Sequence, residues 1–153
     1  MQSFIIRKAE LQDISSICNL VHELAVYEKE PEALKIGIKE YQEAFIEGLI
    51  DSIVAEYEGK VVGITVFYMT FSTWRGKCLY LEDFYVQPEY RKYGIGQKLF
   101  EAYLSEAKSR GAKLTRWQVL DWNEIALNFY HKNHAIIEKN WWNGRMMLSK
   151  NVE

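Results

Sequence analysis

Apolar and polar positions along the chain change period several times, and each change marks an element. Residues 4–8 alternate as a short strand does, and Ile14, Ile17, Cys18, Val21, Leu24 and Ala25 then recur at helical spacing. The second pattern predicts an amphipathic helix ending at about Tyr27. A charged loop, Glu28-Lys29-Glu30-Pro31-Glu32, leads to another helical stretch around Tyr41, Ala44 and Phe45 that stops near Gly48. Residues 52–57 and 61–71, joined at Glu58-Gly59, read as an antiparallel hairpin. A strand over 78–86 ends before Pro88, and a helix with Leu99, Tyr103 and Ala107 on one face runs from about Gly96 to Gly111, a residue suited to a helix C-terminus. Residues 113–119 read as a strand parallel to 78–86, because a helical crossover returns the chain in the same direction. Asn123 is a candidate N-cap for a helix over 124–132. Two last strands are predicted near 135–139 and 145–149, around a Trp141-Trp142-Asn143-Gly144 turn, to close the sheet. The expected class is α/β (α+β): a mixed, mostly antiparallel sheet with helices on both faces.

Composition narrows this further. The 153 residues, 48% apolar and 14% aromatic, suffice for one core, and no repeat, low-complexity tract or linker interrupts them, so a single domain over 1–153 is expected. Charged residues nearly cancel, to a net charge of -2, which leaves no field of one sign to hold nucleic acid or an anionic membrane. The apolar run at the start is too short for a signal peptide, and no segment approaches the ~20 apolar residues of a membrane span. A cytoplasmic protein is expected, with neither nucleic acid nor membrane as partner. Cys18 and Cys78 make no disulfide framework. Cys18 and His22 stand four apart, but no second pair at ligand spacing completes a metal site, and His131 and His134 lack a carboxylate at zinc-motif spacing. No metal is expected.

The chemistry centres on Arg91-Lys92-Tyr93-Gly94-Ile95-Gly96, between a strand and a helix. Backbone N–H groups and the helix dipole can bind an anion there, and the glycines let the backbone come close to a phosphate. A Walker loop is ruled out because no Gly-Lys-Ser/Thr follows. A dinucleotide fingerprint is ruled out because Leu99 stands at the third glycine position. The chain here resembles the GNAT acetyltransferases, whose Arg/Gln-x-x-Gly-x-Gly/Ala signature is met by Arg91, Gly94 and Gly96. Within that superfamily it is most similar to the diamine acetyltransferases, the spermidine/spermine and thialysine group. Three stretches carry the likeness: His22-Glu23-Leu24-Ala25-Val26-Tyr27-Glu28; Leu79-Tyr80-Leu81-Glu82-Asp83-Phe84-Tyr85-Val86 with the loop; and Trp122-Asn123-Glu124 through Asn128-Phe129-Tyr130. It departs at His134, where the family usually has glycine, and after Ile136.

The resemblance implies a GNAT fold in which the parallel central strands, ending near Val86 and Val119, splay to admit the pantetheine arm of acetyl-CoA. It implies that Phe84, Tyr85 and Val86 meet the arm and thioester, that Arg91, Lys92, Tyr93, Gly94, Ile95, Gly96 and Gln97 hold the pyrophosphate, and that Asn123, Glu124, Tyr130 and Lys132 also touch the cofactor. Acetyl would pass directly to a primary amine in a ternary complex. Glu82 is the expected base, acting through a water, and Tyr130 the expected acid for the departing thiolate. Tyr27, Glu28, Ser72, Trp74, Glu82, Asp83 and Trp117 match the polyamine groove and offer carboxylates and aromatic faces to a cation. A homodimer is expected, since the aromatic tail would otherwise leave an exposed patch. Two alternatives stand beside a diamine or polyamine acceptor: another amine, such as thialysine or a peptide N-terminus, and a non-catalytic acyl-CoA-binding module.

Overall fold

The computed structural model describes residues 3–150, in two compact units, Met1–Trp117 and Gln118–Glu153. The first holds β1 (Ile5–Lys8), α1 (Ile14–Tyr27), α2 (Ile38–Ile46), β2 (Asp51–Tyr57), β3 (Lys60–Ser72), β4 (Gly76–Val86), α3 (Ile95–Ser109) and β5 (Leu114–Trp117). Short 3-10 turns form at Leu11–Asp13, Pro31–Ala33 and Pro88–Tyr93. The sheet order is β1-β2-β3-β4-β5, with three antiparallel pairings and one parallel pairing, β4 with β5. The expected mixed sheet and its parallel pair are present, but the pair was expected at the centre and lies instead at the end of the order, with β5 as the outer strand among the described residues. The β2–β3 hairpin turns on Glu58 and Gly59, both at positive φ, as a two-residue turn matched to strand twist requires.

The two faces of the sheet take different helices. Ile14, Ile17, Leu20 and Val21 of α1 pack on Val54, Ile64, Val66 and Tyr85. The intervening residues of β3 face α3, where the Phe67 and Tyr103 ring centroids lie 5.7 Å apart and the buried Tyr103 hydroxyl donates to the Leu79 carbonyl at 2.5 Å. Gly63 is what lets α3 settle there: a Cβ would stand 2.9 Å from Leu99 Cδ1. Full burial of such side chains stabilises the fold by roughly 1.5–3 kcal/mol each. Ion pairs fasten the edges, Arg7 bridging Asp13 and Glu56, and Arg110 bridging Glu106 and Asp51.

All three helices of this unit end in the same way. Beyond α1, Lys29 N–H donates to the Val26 carbonyl and Glu30 N–H to that of Ala25. Gly48 and Leu49 repeat the pattern after α2, and Gly111 and Ala112 after α3. This paired arrangement needs a left-handed residue, and Lys29 (φ 64), Gly48 (φ 75) and Gly111 (φ 77) supply it.

The second unit carries α4 (Glu124–Lys132), whose N-cap Asn123 accepts the Ala126 N–H at 3.2 Å. The helix ends on His134 (φ 63), with Ala135 N–H donating to the Tyr130 carbonyl. The two final strands expected near 135–139 and 145–149 do not form among the described residues. Apolar alternation makes a strand only where a neighbour completes its hydrogen bonds, and here Ile136, Trp142, Met146 and Leu148 stand 86% or more exposed. Among the described residues no helix is long and apolar enough to cross a membrane.

Candidate active site

At the glycine loop, Pro88–Tyr93 winds as a 3-10 turn, Gly94 adopts φ 76 and ψ 11, and α3 begins at Ile95. A Cβ on Gly94 would meet nothing within 4 Å, so glycine serves the backbone angle there rather than space. At Gly96 a Cβ would touch only Phe84 Cζ at 3.8 Å and Val86 Cγ2 at 3.9 Å. Lys92 and Tyr93 are exposed beside the α3 N-terminus, a combination suited to an anion. Gln97 lies in the first turn of the helix. The Arg91 side chain turns the other way, its Nε donating to the Val86 carbonyl at 2.8 Å.

β4 supplies the middle of the site. Opposite β3, Asp83 pairs with Val66 and Leu81 with Phe67, so Glu82 is the extra residue of a β-bulge. Bulges re-aim a side chain and sharpen local twist. The parallel ladder also stops here, at Leu81↔Trp117, one residue before Glu82. Phe84 stacks on Phe100 at 6.0 Å, and Trp117 meets Phe100 edge-on at 5.7 Å. Tyr85 is buried on the α1 face.

That face holds a cleft of about 180 Å³ at the end of α1. Val21, Leu24, Ala25 and Leu34 give it an apolar lining, and Glu28, Glu30 and Asp83 line it without any lysine or arginine. Burial, reinforced by the charges of Glu82 and Glu28, pushes the Asp83 carboxyl up to about 7. Burial also raises Glu28. Glu82 accepts a hydrogen bond from the Tyr68 hydroxyl at 2.8 Å, and Tyr68 stacks on Tyr80 at 5.4 Å. The Tyr68 phenol is raised by burial and by that carboxylate, and the Tyr41 phenol by burial and by Asp83, so both stay protonated. Tyr41 and Tyr68 were not singled out in the sequence, because neither belongs to a local motif.

The expected groove residues do not all gather at this cleft. Glu28 and Asp83 line it, Glu82 adjoins it in sequence, and Tyr27 closes the helix beside it. Ser72 and Trp74 belong to the β3–β4 turn, where the Ser72 hydroxyl accepts the N–H groups of Trp74 and Arg75. Gly76 and Asp83 stand seven positions apart along β4, roughly 23 Å at the rise of a strand. In the second unit Asn123 and Glu124 start α4, Tyr130 is 6% exposed with its ring edge-on to Phe129 at 5.7 Å, and Lys132 is the last helical residue. No group of three or more histidine, cysteine, aspartate or glutamate side chains among the described residues could hold a metal ion.

A glycine loop opening α3, a parallel strand pair and a bulged acidic strand make up the candidate site. The acetyltransferase (GNAT) family model matches residues 13–135, and the chain belongs to that family. A thialysine N-epsilon-acetyltransferase of Bos taurus is 37% identical over 140 residues, covering 85% of this chain and 82% of that protein. Spermidine/spermine N(1)-acetyltransferase-like protein 1 of Homo sapiens is 32% identical over 145 residues, 89% of this chain and 21% of that longer protein. In fold, the chain matches an aminoglycoside acetyltransferase, meta-AAC0020 from an uncultured soil metagenomic sample, with a TM-score of 0.80 at 19% identity, covering 95% of this chain and 97% of the other. The chain is a GNAT N-acetyltransferase similar to the diamine acetyltransferase group.

Proposed function

We propose that the enzyme transfers acetyl from acetyl-CoA to a primary amine of a small diamine or polyamine. One observation carries the acceptor class: a cleft with three carboxylates, no basic residue and an apolar lining, in which burial holds Asp83 near neutrality. An alkylammonium fits both halves of that chemistry, its charge offsetting the carboxylates and its methylenes covering the leucines. An acceptor with its own carboxylate, such as thialysine, would bring a like charge into the cleft.

The amine must lose a proton before it attacks, since an alkylamine with a pKa of about 10.4 is less than about a thousandth neutral at pH 7. Glu82 takes that proton through a water. The amine nitrogen then bonds to the thioester carbonyl carbon, the carbon–sulfur bond breaks, Tyr130 protonates the departing sulfur, and the second proton leaving the attacking nitrogen restores the phenol by way of solvent. Backbone groups of Phe84, Tyr85 and Val86 hold the donor, and the loop from Arg91 to Gln97 holds its phosphates, Arg91 through its backbone alone, with Asn123, Glu124 and Lys132 on the cofactor side. We also propose that two copies pair, covering the exposed tail side chains Ile136, Trp142, Met146 and Leu148.

Thiol release from acetyl-CoA across spermidine, putrescine, thialysine and a neutral-tailed alkylamine tests the acceptor class. The diamines should exceed the neutral-tailed amine at least about tenfold in kcat/KM, the worth of roughly one paired charge. Equal values would overturn the reading, and a thialysine rate above the diamines would move the assignment to that amine.

A further inference from the structure

We infer that Arg91, the first residue of the glycine-loop signature, is a positioning residue for the amine half of the site. Its side chain does not extend along the loop. Nε donates to the Val86 carbonyl at 2.8 Å, and the guanidinium carbon lies 5.5 Å from the Tyr27 ring centroid and 5.4 Å from that of Tyr85. A single cation thus joins the last residue of α1 to the last two residues of β4. The surroundings fix this arrangement from behind. Glu23, one turn before Tyr27, accepts the Tyr85 hydroxyl at 3.3 Å and the side-chain amide of the buried Gln87 at 3.0 Å.

The consequence falls on the cleft. Glu28 follows Tyr27 directly as the C-cap of α1, and the next residue, Lys29, is held at φ 64, a conformation costly to a side-chain-bearing residue. Such a residue persists only where its surroundings over-determine it. Arg91 stacked on Tyr27 is one of those constraints, and it sets where the Glu28 carboxylate stands relative to Asp83. This inference rests on the proposed reading of the cleft as the amine site.

Steady-state kinetics with spermidine test it, using Arg91→Ala, Arg91→Lys and Asp83→Asn, with melting temperatures recorded. Arg91→Ala should raise the amine KM on the order of tenfold with kcat within about threefold, reflecting loss of two ring contacts and one hydrogen bond. Arg91→Lys keeps the cation and should recover part of the loss. A rise confined to the KM for acetyl-CoA would make Arg91 a phosphate ligand and overturn the inference. If Arg91→Ala folds poorly, Arg91→Lys decides alone: a wild-type amine KM overturns it. An amine KM that moves in Asp83→Asn but in neither Arg91 variant also overturns it. One that moves in the Arg91 variants but not in Asp83→Asn removes the cleft reading and keeps Arg91 as a positioning residue.

Discussion

Four helices end in the same hydrogen-bonding pattern, yet they fall into two kinds. After α2 and α3 the left-handed position is Gly48 or Gly111, where φ near 75° carries no steric cost. After α1 and α4 it is Lys29 or His134, side chains that pay roughly 1–2 kcal/mol for the same angle. The difference follows the proposed site residues. Relaxed ends belong to helices whose C-termini carry none of the expected site residues. Strained ends follow Tyr27 and Glu28 on α1, and Tyr130 and Lys132 on α4. A strained ending is tolerated where neighbouring contacts fix it, and those contacts also fix the side chains of the preceding turn.

The largest expected effect lies on α4. Tyr130→Phe keeps the ring and removes the proton, so kcat should fall about 100- to 10,000-fold with both KM values nearly unchanged. Raising the pH should not rescue it. A kcat within about twofold of wild type would return Tyr130 to a packing role, and the α4 ending would then lose its link to chemistry.

The next largest effect concerns the end of α1 and carries a pH dependence. Asp83 titrates near 7 in the folded protein, above the 3.8 of a free aspartate, so the folded state binds the extra proton. Stability from that proton is complete below about pH 4 and is lost as pH rises toward and through 7. Asp83→Asn should therefore match wild type in acid and be more stable by more than about 1 kcal/mol at pH 8, in denaturant titrations at both pH values. The amine KM should meanwhile rise about tenfold above pH 7, since the carboxylate that meets the cation is gone. Coincident stability at pH 8 would mean that the carboxyl is already well solvated, and the cleft would lose its argument for a cation.

The glycine endings and the loop were legible in the sequence because glycine announces positive φ, and Gly48, Gly111 and Gly94 all sit where their positions suggested. Helical and strand periods located α1, α2, β2, β3, β4 and α3 to within a few residues. Lys29 was not legible, since nothing about a lysine in a charged loop signals a left-handed angle. His134 left a trace, as the residue standing where the family has glycine. The bulge at Glu82 and the proximity of Tyr68, Tyr41 and Asp83 depend on strand register and helix docking, which sequence spacing does not encode. The last two strands were misread because alternation in 135–149 reports apolar side chains and says nothing about a hydrogen-bonding neighbour.

The smallest effect is the most direct test of the two kinds of ending. His134→Gly removes a side chain from a left-handed residue while leaving its N–H bonded to the His131 carbonyl at 3.0 Å. Relief of strain outweighs the extra freedom glycine gives the unfolded chain, so the variant should gain about 0.5–1 kcal/mol. The reciprocal change, Gly111→Lys, meets no steric neighbour within 4 Å and should lose about 1–2 kcal/mol for the angle alone. Lys29→Gly belongs with His134→Gly in stability but should differ in function. It frees the turn that aims Glu28, so the melting temperature should rise while the amine KM also rises by a few-fold, roughly the effect of one weakened contact. If all three exchanges moved stability by the expected sign and left both KM values alone, strain and function would be separate properties of these helix ends. If Lys29→Gly alone raises the amine KM, the left-handed lysine is part of how the cleft is held.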